Sequence, residues 1–331
     1  MRGRLQEDPI LDVAVTQFLG TDCPNVVKSI RVLKDDDRLY SFIPFYKDGD
    51  LFARLVQYAE SSGGEAGMPE NVARFWFRQV LQSFLHLHSK GVCYRDMSLE
   101  NFMINDDSLA LTDMGLCLRI PYNHSTDPNQ TTDIANGSIR RLILPQGTCG
   151  KANYLCPEIF ENQDAFDPCA IDMWGTGVVL YILLCGFPPY DTPSLGDARF
   201  EVIVNGQLID QLQEWGIHLS EQAGDLLQRL LHCDPKHRLT LAQALEHPWV
   251  CLEELERPLV AIAAGPVSSA SSSSREELDQ LAVSVNYLQT QFLEELSAHG
   301  LDRSSNIYAI ENLQGPPGVL RKKGKAVFMP S

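Results

Sequence analysis

The sequence predicts an α+β protein, mainly helical, with a small β component near its start. Three observations carry this. The stretch "MPENVARFWFRQVLQSFLHLHSKG" (68–91) repeats apolar residues at helical spacing along its length. The stretch "AIDMWGTGVVLYILLCG" (170–186) is so apolar that a helix there must be buried on nearly all sides. Short β-type runs instead flank two turn-forming triplets, Asp35-Asp36-Asp37 and Asp106-Asp107-Ser108.

Each element has a local reason. In "DPILDVAVTQFLG" (8–20) Asp8 can cap a helix, Pro9 suits its first position, and Gly20 can end it. Ile10, Val13, Ala14 and Phe18 form its expected apolar stripe. Residues 25–45 read as two strands around the Asp triplet, followed by a short helix and a glycine-rich loop. In the helix at 68–91 the expected buried side is Phe77, Val80, Leu81, Phe84, Leu85 and Leu87, and Gly91 stops it. "NFMIN" and "LALTD" read as strands around the second triplet. Residues 121–147 read as a polar loop, and further helices run from 170 to about Trp249. "SSASSSS" (268–274) is a linker by composition, and 275–300 has the pattern of an amphipathic helix. The expected organisation is therefore 1–46, a helix with two strands; 47–252, a helical lobe; and 253–331, a tail.

Composition narrows the function. The 331 residues are ample for a sizeable core. With 27 basic against 43 acidic residues the formal charge is −16, which argues against a nucleic-acid partner. The nine cysteines include no C-x-x-C pair, so neither a disulfide framework nor a zinc site is indicated. The apolar run "VVLYILLC" (178–185) is too short to span a bilayer, and the N-terminus lacks an apolar signal core. No membrane partner and a cytoplasmic or nuclear location are the expectations.

Six motifs then occur in order: "YRDMSLEN" (94–101), "TDMGL" (112–116), "GKANYLCPE" (150–158), "DMWGTG" (172–177), "LLCGFPPYD" (183–191) and "DPKHRLTLAQALEHPWV" (234–250). Together they resemble the catalytic loop, metal-binding motif, activation-segment end and large-lobe helices of eukaryotic serine/threonine protein kinases. The large-lobe wording is most similar to the calcium/calmodulin-dependent and energy-sensing branches. The resemblance covers roughly residues 8–250 and implies a two-lobe fold with an incomplete small-lobe sheet. It also implies ATP and Mg²⁺ as cofactors and a protein substrate. Phosphoryl transfer asks for positioning and charge neutralisation more than covalent help. By the resemblance, Asp96 accepts or orients the substrate hydroxyl proton, and Asn101 and Asp113 hold Mg²⁺. Arg95 implies control by an activation-loop phosphate placed by another kinase, with Thr148 and Ser138 as candidate acceptors. Glu158 and Arg238 match a buried ion pair, and Asp172 matches the helix acid that braces the catalytic loop. Tyr94 and Met114 stand where the family usually has His and Phe, as packing replacements.

Two departures are reciprocal. The family's lysine two residues after the catalytic Asp is Ser98 here. The hydroxyl residue after the segment glycine is Lys151 here. A lysine is a point charge on a four-carbon stem, so Lys151 is expected to take over the phosphate contact while Ser98 fills a small polar site. A further departure lies upstream: no glycine-rich loop or strand lysine precedes the first helix, where Asp12 falls near the family's helix Glu. Lys28 and Lys34 read as solvent-facing strand residues. Three explanations stay open: a start upstream of Met1, which is favoured; a partner that completes the lobe; or weak ATP binding. For the adenine pocket the resemblance points to Ile43 as gatekeeper, Pro44 and Tyr46 as hinge, and Met103 as floor. A pseudokinase scaffold is the alternative to an active kinase.

Overall fold

A computed structural model of the chain describes residues 7–36, 38–63, 67–122, 130–135, 138–252 and the two strand residues 325–326. The helix expected at 275–300 and the Ser-rich linker lie outside the described residues. The described residues divide into two compact units, one made of 7–28 with 44–252 and the other of 29–43 with 325–326.

The smaller unit is a hairpin. Strands β1 (Arg31–Lys34) and β2 (Arg38–Phe42) pair antiparallel with Leu33 opposite Tyr40. Asp35 shapes the turn, donating its N–H to the Arg38 carbonyl and accepting the Tyr40 hydroxyl on its carboxylate. The two-residue strand β9 (Lys325–Ala326) adds to β2 in parallel.

The larger unit begins with α1 (Pro9–Leu19). Asp8 caps it by accepting the Ile10 and Leu11 N–H groups, Pro9 takes the first position, and Gly20 ends it at φ 76°. Its buried residues are Val13, Val15, Thr16 and Leu19, so the face is turned from the expected stripe; Ile10, Ala14 and Phe18 are only half-buried. The displaced stripe follows from what α1 packs on: its N-terminus hydrogen-bonds the backbone at Gly115, with Asp8 N–H to the Gly115 carbonyl at 3.0 Å.

Helices α2 (Leu51–Ser61) and α3 (Glu70–Ser89) follow. The buried side of α3 holds Trp76, Phe77, Val80, Leu81, Phe84 and Leu87. Leu85, expected inside, is 43% exposed. Next come β3 (Val92–Cys93), the hairpin β4 (Phe102–Asn105) and β5 (Ser108–Leu111), and β6 (Leu118–Arg119), which pairs with β3. The loop expected over 121–147 holds a further hairpin, β7 (Gln130–Ile134) with β8 (Arg141–Ile143). Its polar composition hid it, because the pairing is fixed by contacts outside the segment. Arg140 forks onto Asp167 at 2.8 and 2.7 Å, and Ile143 exchanges backbone hydrogen bonds with Phe166.

After α4 (Pro157–Glu161), helix α5 (Pro168–Cys185) runs through the core and packs on α3. The short run "VVLYILLC" extends here into an 18-residue helix, long and apolar enough to cross a membrane by length and composition. Its apolar window is 94% buried inside the protein, so its hydropathy is that of a core helix. Helices α6 (Ala198–Val204), α7 (Leu208–Glu214), α8 (Glu221–Leu230), α9 (Leu241–Leu245) and α10 (Pro248–Cys251) complete the unit. Trp76, Trp174 and Trp249 are fully buried; truncating any of them to Ala costs about 3–5 kcal/mol. Trp174 also relays order outward. Its indole N–H donates to the Tyr190 hydroxyl at 2.6 Å, which donates to the Leu155 carbonyl at 2.7 Å. The core helix is thereby tied to the segment that borders the site.

Candidate active site

The site is built on Asp172, in the second turn of α5 and 2% exposed. Its carboxylate accepts the backbone N–H groups of Tyr94 (2.9 Å) and Arg95 (3.0 Å) and the His88 ring nitrogen Nε2 (2.9 Å). Arg95 needs this grip, because its φ of 71° lies in the left-handed region that disfavours a side chain. Asp113 is held at φ 61°, also left-handed. Such strain persists only where surrounding bonds over-determine it, and it concentrates at functional sites.

That backbone turn aims Asp96 inward, 7% exposed. Its carboxylate, that of Asp113 and that of Glu7 offer oxygens all within 4.8 Å of one another. Asn101 completes the group. Its amide nitrogen donates to the Asp96 carbonyl (2.9 Å) and to the Tyr94 hydroxyl (2.8 Å), so its side-chain oxygen is the atom left to face a ligand. Tyr94 is more than a packing replacement: its hydroxyl also donates to the Thr112 carbonyl at 2.8 Å, joining the catalytic loop to the strand that delivers Asp113.

The electrostatics match this crowding. Burial, and then the charges of Asp113 and Glu7, push the Asp96 carboxyl up to about 6, against the pull of Lys151 and Asn101. Burial raises Asp113 too, opposed by the Gly115 N–H. Asp12 is raised by burial first, and by Asp113 and Glu7, although it accepts the Met114 N–H at 2.6 Å. Four acids thus share one cleft with excess negative charge, and hard oxygen donors so arranged suit Mg²⁺. Asp12, near the family's helix Glu, binds the Met114 backbone.

Lys151 lies across from this group. Gly150, at φ 83°, passes so close to Asp96 that a Cβ there would sit 3.3 Å from its carboxylate oxygen. Lys151 follows immediately, its ammonium 2.6 Å from Glu100 and half-exposed. Burial pushes Glu100 up, but the Lys151 hydrogen bond and charge outweigh it and hold Glu100 below the usual range. Ser98 is buried at 1% exposure in the same loop.

The remaining predicted residues fall as follows. Arg238 forks onto Glu158 at 2.7 and 3.1 Å, under the Trp174 ring. Arg95 directs its guanidinium to the Cys149 sulfur at 3.0 Å, one residue beyond Thr148. Ser138 is engaged in a turn, donating to the Ala135 carbonyl. Pro44 and Tyr46 lead into Asp48-Gly49-Asp50, which hydrogen-bonds along β4 and brings Met103 beside that segment. Ile43 belongs to the hairpin unit, and Pro44, Tyr46 and Met103 belong to the larger one. Sequence reasoning missed Glu7, the Tyr94 hydroxyl, the Cys149 partner of Arg95 and the Glu100 partner of Lys151. Only Tyr94 carried a signal, as a polar aromatic in place of His.

Comparison with known proteins identifies the family. The protein kinase domain model matches residues 12–250. A "Probable myosin light chain kinase" of Dictyostelium discoideum is 31% identical over 256 residues, covering 75% of this chain and 72% of that protein. "Serine/threonine-protein kinase DCLK3" of Homo sapiens is 32% identical over 251 residues, 74% of this chain and 34% of its own length. "Calcium-dependent protein kinase 29" of Arabidopsis thaliana is 33% identical over 248 residues, 74% of this chain and 40% of its own length. The chain therefore spans well under two thirds of the latter two relatives. With the ordered motifs, the kinase-like fold and these matches in hand, the chain belongs to the protein kinase family, among the eukaryotic serine/threonine protein kinases.

Proposed function

We propose that this chain transfers the γ-phosphate of ATP to a serine or threonine hydroxyl of a protein. The observation that carries the reading is the convergence of Asp96, Asn101 and Asp113, with the two carboxylates within 4.8 Å of each other. Asp113 and the Asn101 side-chain oxygen would hold Mg²⁺, which when bound neutralises charge on the phosphates. Asp96, ionised above about pH 6, accepts the hydroxyl proton and aims its oxygen at phosphorus. Asn101 locks the loop that carries Asp96, and Asp172 fixes the backbone behind it. Tyr46 and Pro44 would offer a backbone N–H and carbonyl for the adenine edge, with Met103 on the strand that pairs with Asp50.

Lys151 supplies the positive charge that Ser98 cannot. Its field already reaches Asp96, and its four-carbon stem lets the ammonium leave Glu100 for a phosphate oxygen. Lys151→Ala is expected to lower phosphotransfer from Mg-ATP to a generic basic protein substrate by about 10²–10³-fold. Its melting temperature should barely move, since a half-exposed ion pair contributes only about 0–1 kcal/mol. Retention of the parent rate would remove Lys151 from the mechanism. Restored transfer in the double variant Ser98→Lys, Lys151→Ser would support the exchange directly.

A further inference from the structure

The acidic cleft holds one carboxylate that the six ordered motifs do not call for. Glu7 precedes α1 and also the residues 12–250 that the family model matches. It is exposed. Yet its carboxylate stands with those of Asp96 and Asp113, each offering an oxygen within 4.8 Å of the other two. Like charges at such range repel, and an exposed glutamate ordinarily relieves this by turning to water.

The backbone around Glu7 is fastened in place. Asp8 donates its N–H to the Gly115 carbonyl at 3.0 Å, and the Asp12 carboxylate accepts the Met114 N–H at 2.6 Å. Gly115 permits the close approach. A Cβ there would lie 3.3 Å from the Glu7 Cβ and 3.4 Å from both the N and O atoms of Asp8. Met114 and Gly115 directly follow Asp113, so these bonds tie the start of α1 to the loop that carries Asp113. Glu7, Asp96 and Asp113 all belong to the larger unit.

The three carboxylates grade from exposed Glu7 through half-buried Asp113 to buried Asp96, which leaves a hydrated cation an open approach from the Glu7 side. Asn101 adds a neutral oxygen to the same loop, both donors of its amide being spent on the Asp96 carbonyl and the Tyr94 hydroxyl. Mg²⁺ sheds water reluctantly and is usually held by one or two carboxylates, with nucleotide phosphates supplying further oxygens. Asp113 and Asn101 fit that pattern. A third carboxylate alters the balance when no nucleotide is present. It brings another full charge and another hard oxygen, and a divalent cation turns the mutual repulsion into attraction.

We propose that Glu7 is a third carboxylate of the divalent-cation grip, so that the chain takes up a cation at Glu7, Asp96 and Asp113 before any nucleotide arrives. The proposal rests on the reading of this cleft as the seat of Mg²⁺ and ATP, and it adds an order of binding. Glu7 supplies an oxygen donor that a phosphate would otherwise bring. Its clamp onto Met114 and Gly115 makes the grip depend on where α1 sits.

The test titrates Mn²⁺ alone, which takes the same oxygen ligands, into the full chain at neutral pH and physiological ionic strength. Free Mn²⁺ is read by electron paramagnetic resonance. One saturable site is expected without nucleotide, and Mg²⁺ should displace the Mn²⁺. Glu7→Ala should weaken the site at least about tenfold, as should Asp113→Asn. Because Glu7 is exposed, Glu7→Ala should keep the parent fold, checked by its metal-free melting curve. Glu246→Gln, which removes an exposed acid elsewhere in the same unit, should leave the affinity unchanged. No nucleotide-free binding by the unaltered chain, or binding equally tight in Glu7→Ala, would overturn the proposal. So would equal weakening in Glu246→Gln, which would mark diffuse attraction to a chain of charge −16. Each of these results leaves the phosphotransfer reading standing, since Mg-ATP can still bind through Asn101 and Asp113. A chain that takes Mn²⁺ through Glu7 yet never binds Mg-ATP would do the reverse, supporting the cation site and sinking the kinase reading.

Discussion

Asp96→Asn is expected to abolish phosphotransfer and, at neutral pH, to make the protein more stable. The two effects share one cause. Asp96 is 7% exposed and faces Asp113 and Glu7, so its ionised form is held at a cost, and its carboxyl rises to about 6. Asn has nearly the same shape and no charge. It cannot accept the substrate proton, and the loss of a positioned base is expected to lower the rate by about 10²–10⁴-fold. Removing the uncompensated charge should add about 1–2 kcal/mol, on the scale of ~1.4 kcal/mol per pKa unit. The sign follows from linkage. A carboxyl raised in the folded state favours folding most below its unfolded value near 3.8, and that benefit is lost as pH rises through about 6. The variant should therefore melt higher than the parent at pH 7, and the gap should close in acid, near pH 4. Thermal unfolding of both proteins at the two pH values decides it; a lower melting temperature for Asp96→Asn at pH 7 would contradict the reading.

Asp172→Ala should cost as much stability as truncating a core tryptophan. It strips the acceptor from two backbone N–H groups, those of Tyr94 and Arg95, and from His88. Burial lowers the basicity of His88, but its hydrogen bonds to Asp172 and Cys169 outweigh this and push it up to about 10. The variant thus leaves a buried imidazolium unpaired and the left-handed turn at Arg95 without its clamp. Breaking a buried ion pair on one side costs about 3–5 kcal/mol, and phosphotransfer should be lost with the loop geometry. The pH dependence separates this from a generic packing defect. A histidine raised in the folded state contributes stability fully below its unfolded value of about 6.5 and loses it as pH rises through about 10. Urea unfolding of the parent should therefore weaken between pH 7 and 10, and Asp172→Ala should lack that slope. An equally steep slope in the variant would assign it to other groups.

Much of this was legible in the sequence, for physical reasons that differ by residue. Asp8, Pro9 and Gly20 announced α1 because capping is local chemistry. Asp96, Asn101 and Asp113 could be read as a set because their spacing repeats a family motif that phosphate chemistry constrains. The buried face of α1 could not, since it is chosen by what the helix leans on. Leu85 looked buried by periodicity, yet it is 43% exposed. The hairpin inside 121–147 escaped because Arg140, Asp167 and Phe166, rather than its own polar residues, hold it in place. Glu7 carried no signal at all: nothing local tells a residue before a helix that it will face carboxylates a hundred positions on. His88 and Asp172 were visible only as residue types, and their contact joins α3 to α5.

The claim beneath the functional account is that Asp96, Asn101 and Asp113 form one acidic grip for magnesium and a nucleotide triphosphate. Calorimetric titration of ATP into the full chain, with and without Mg²⁺, tests it most directly. The account predicts saturable binding that requires Mg²⁺ and weakens at least about tenfold in Asp113→Asn. Absence of binding at millimolar Mg-ATP, or binding that ignores both the metal and Asp113, would contradict it.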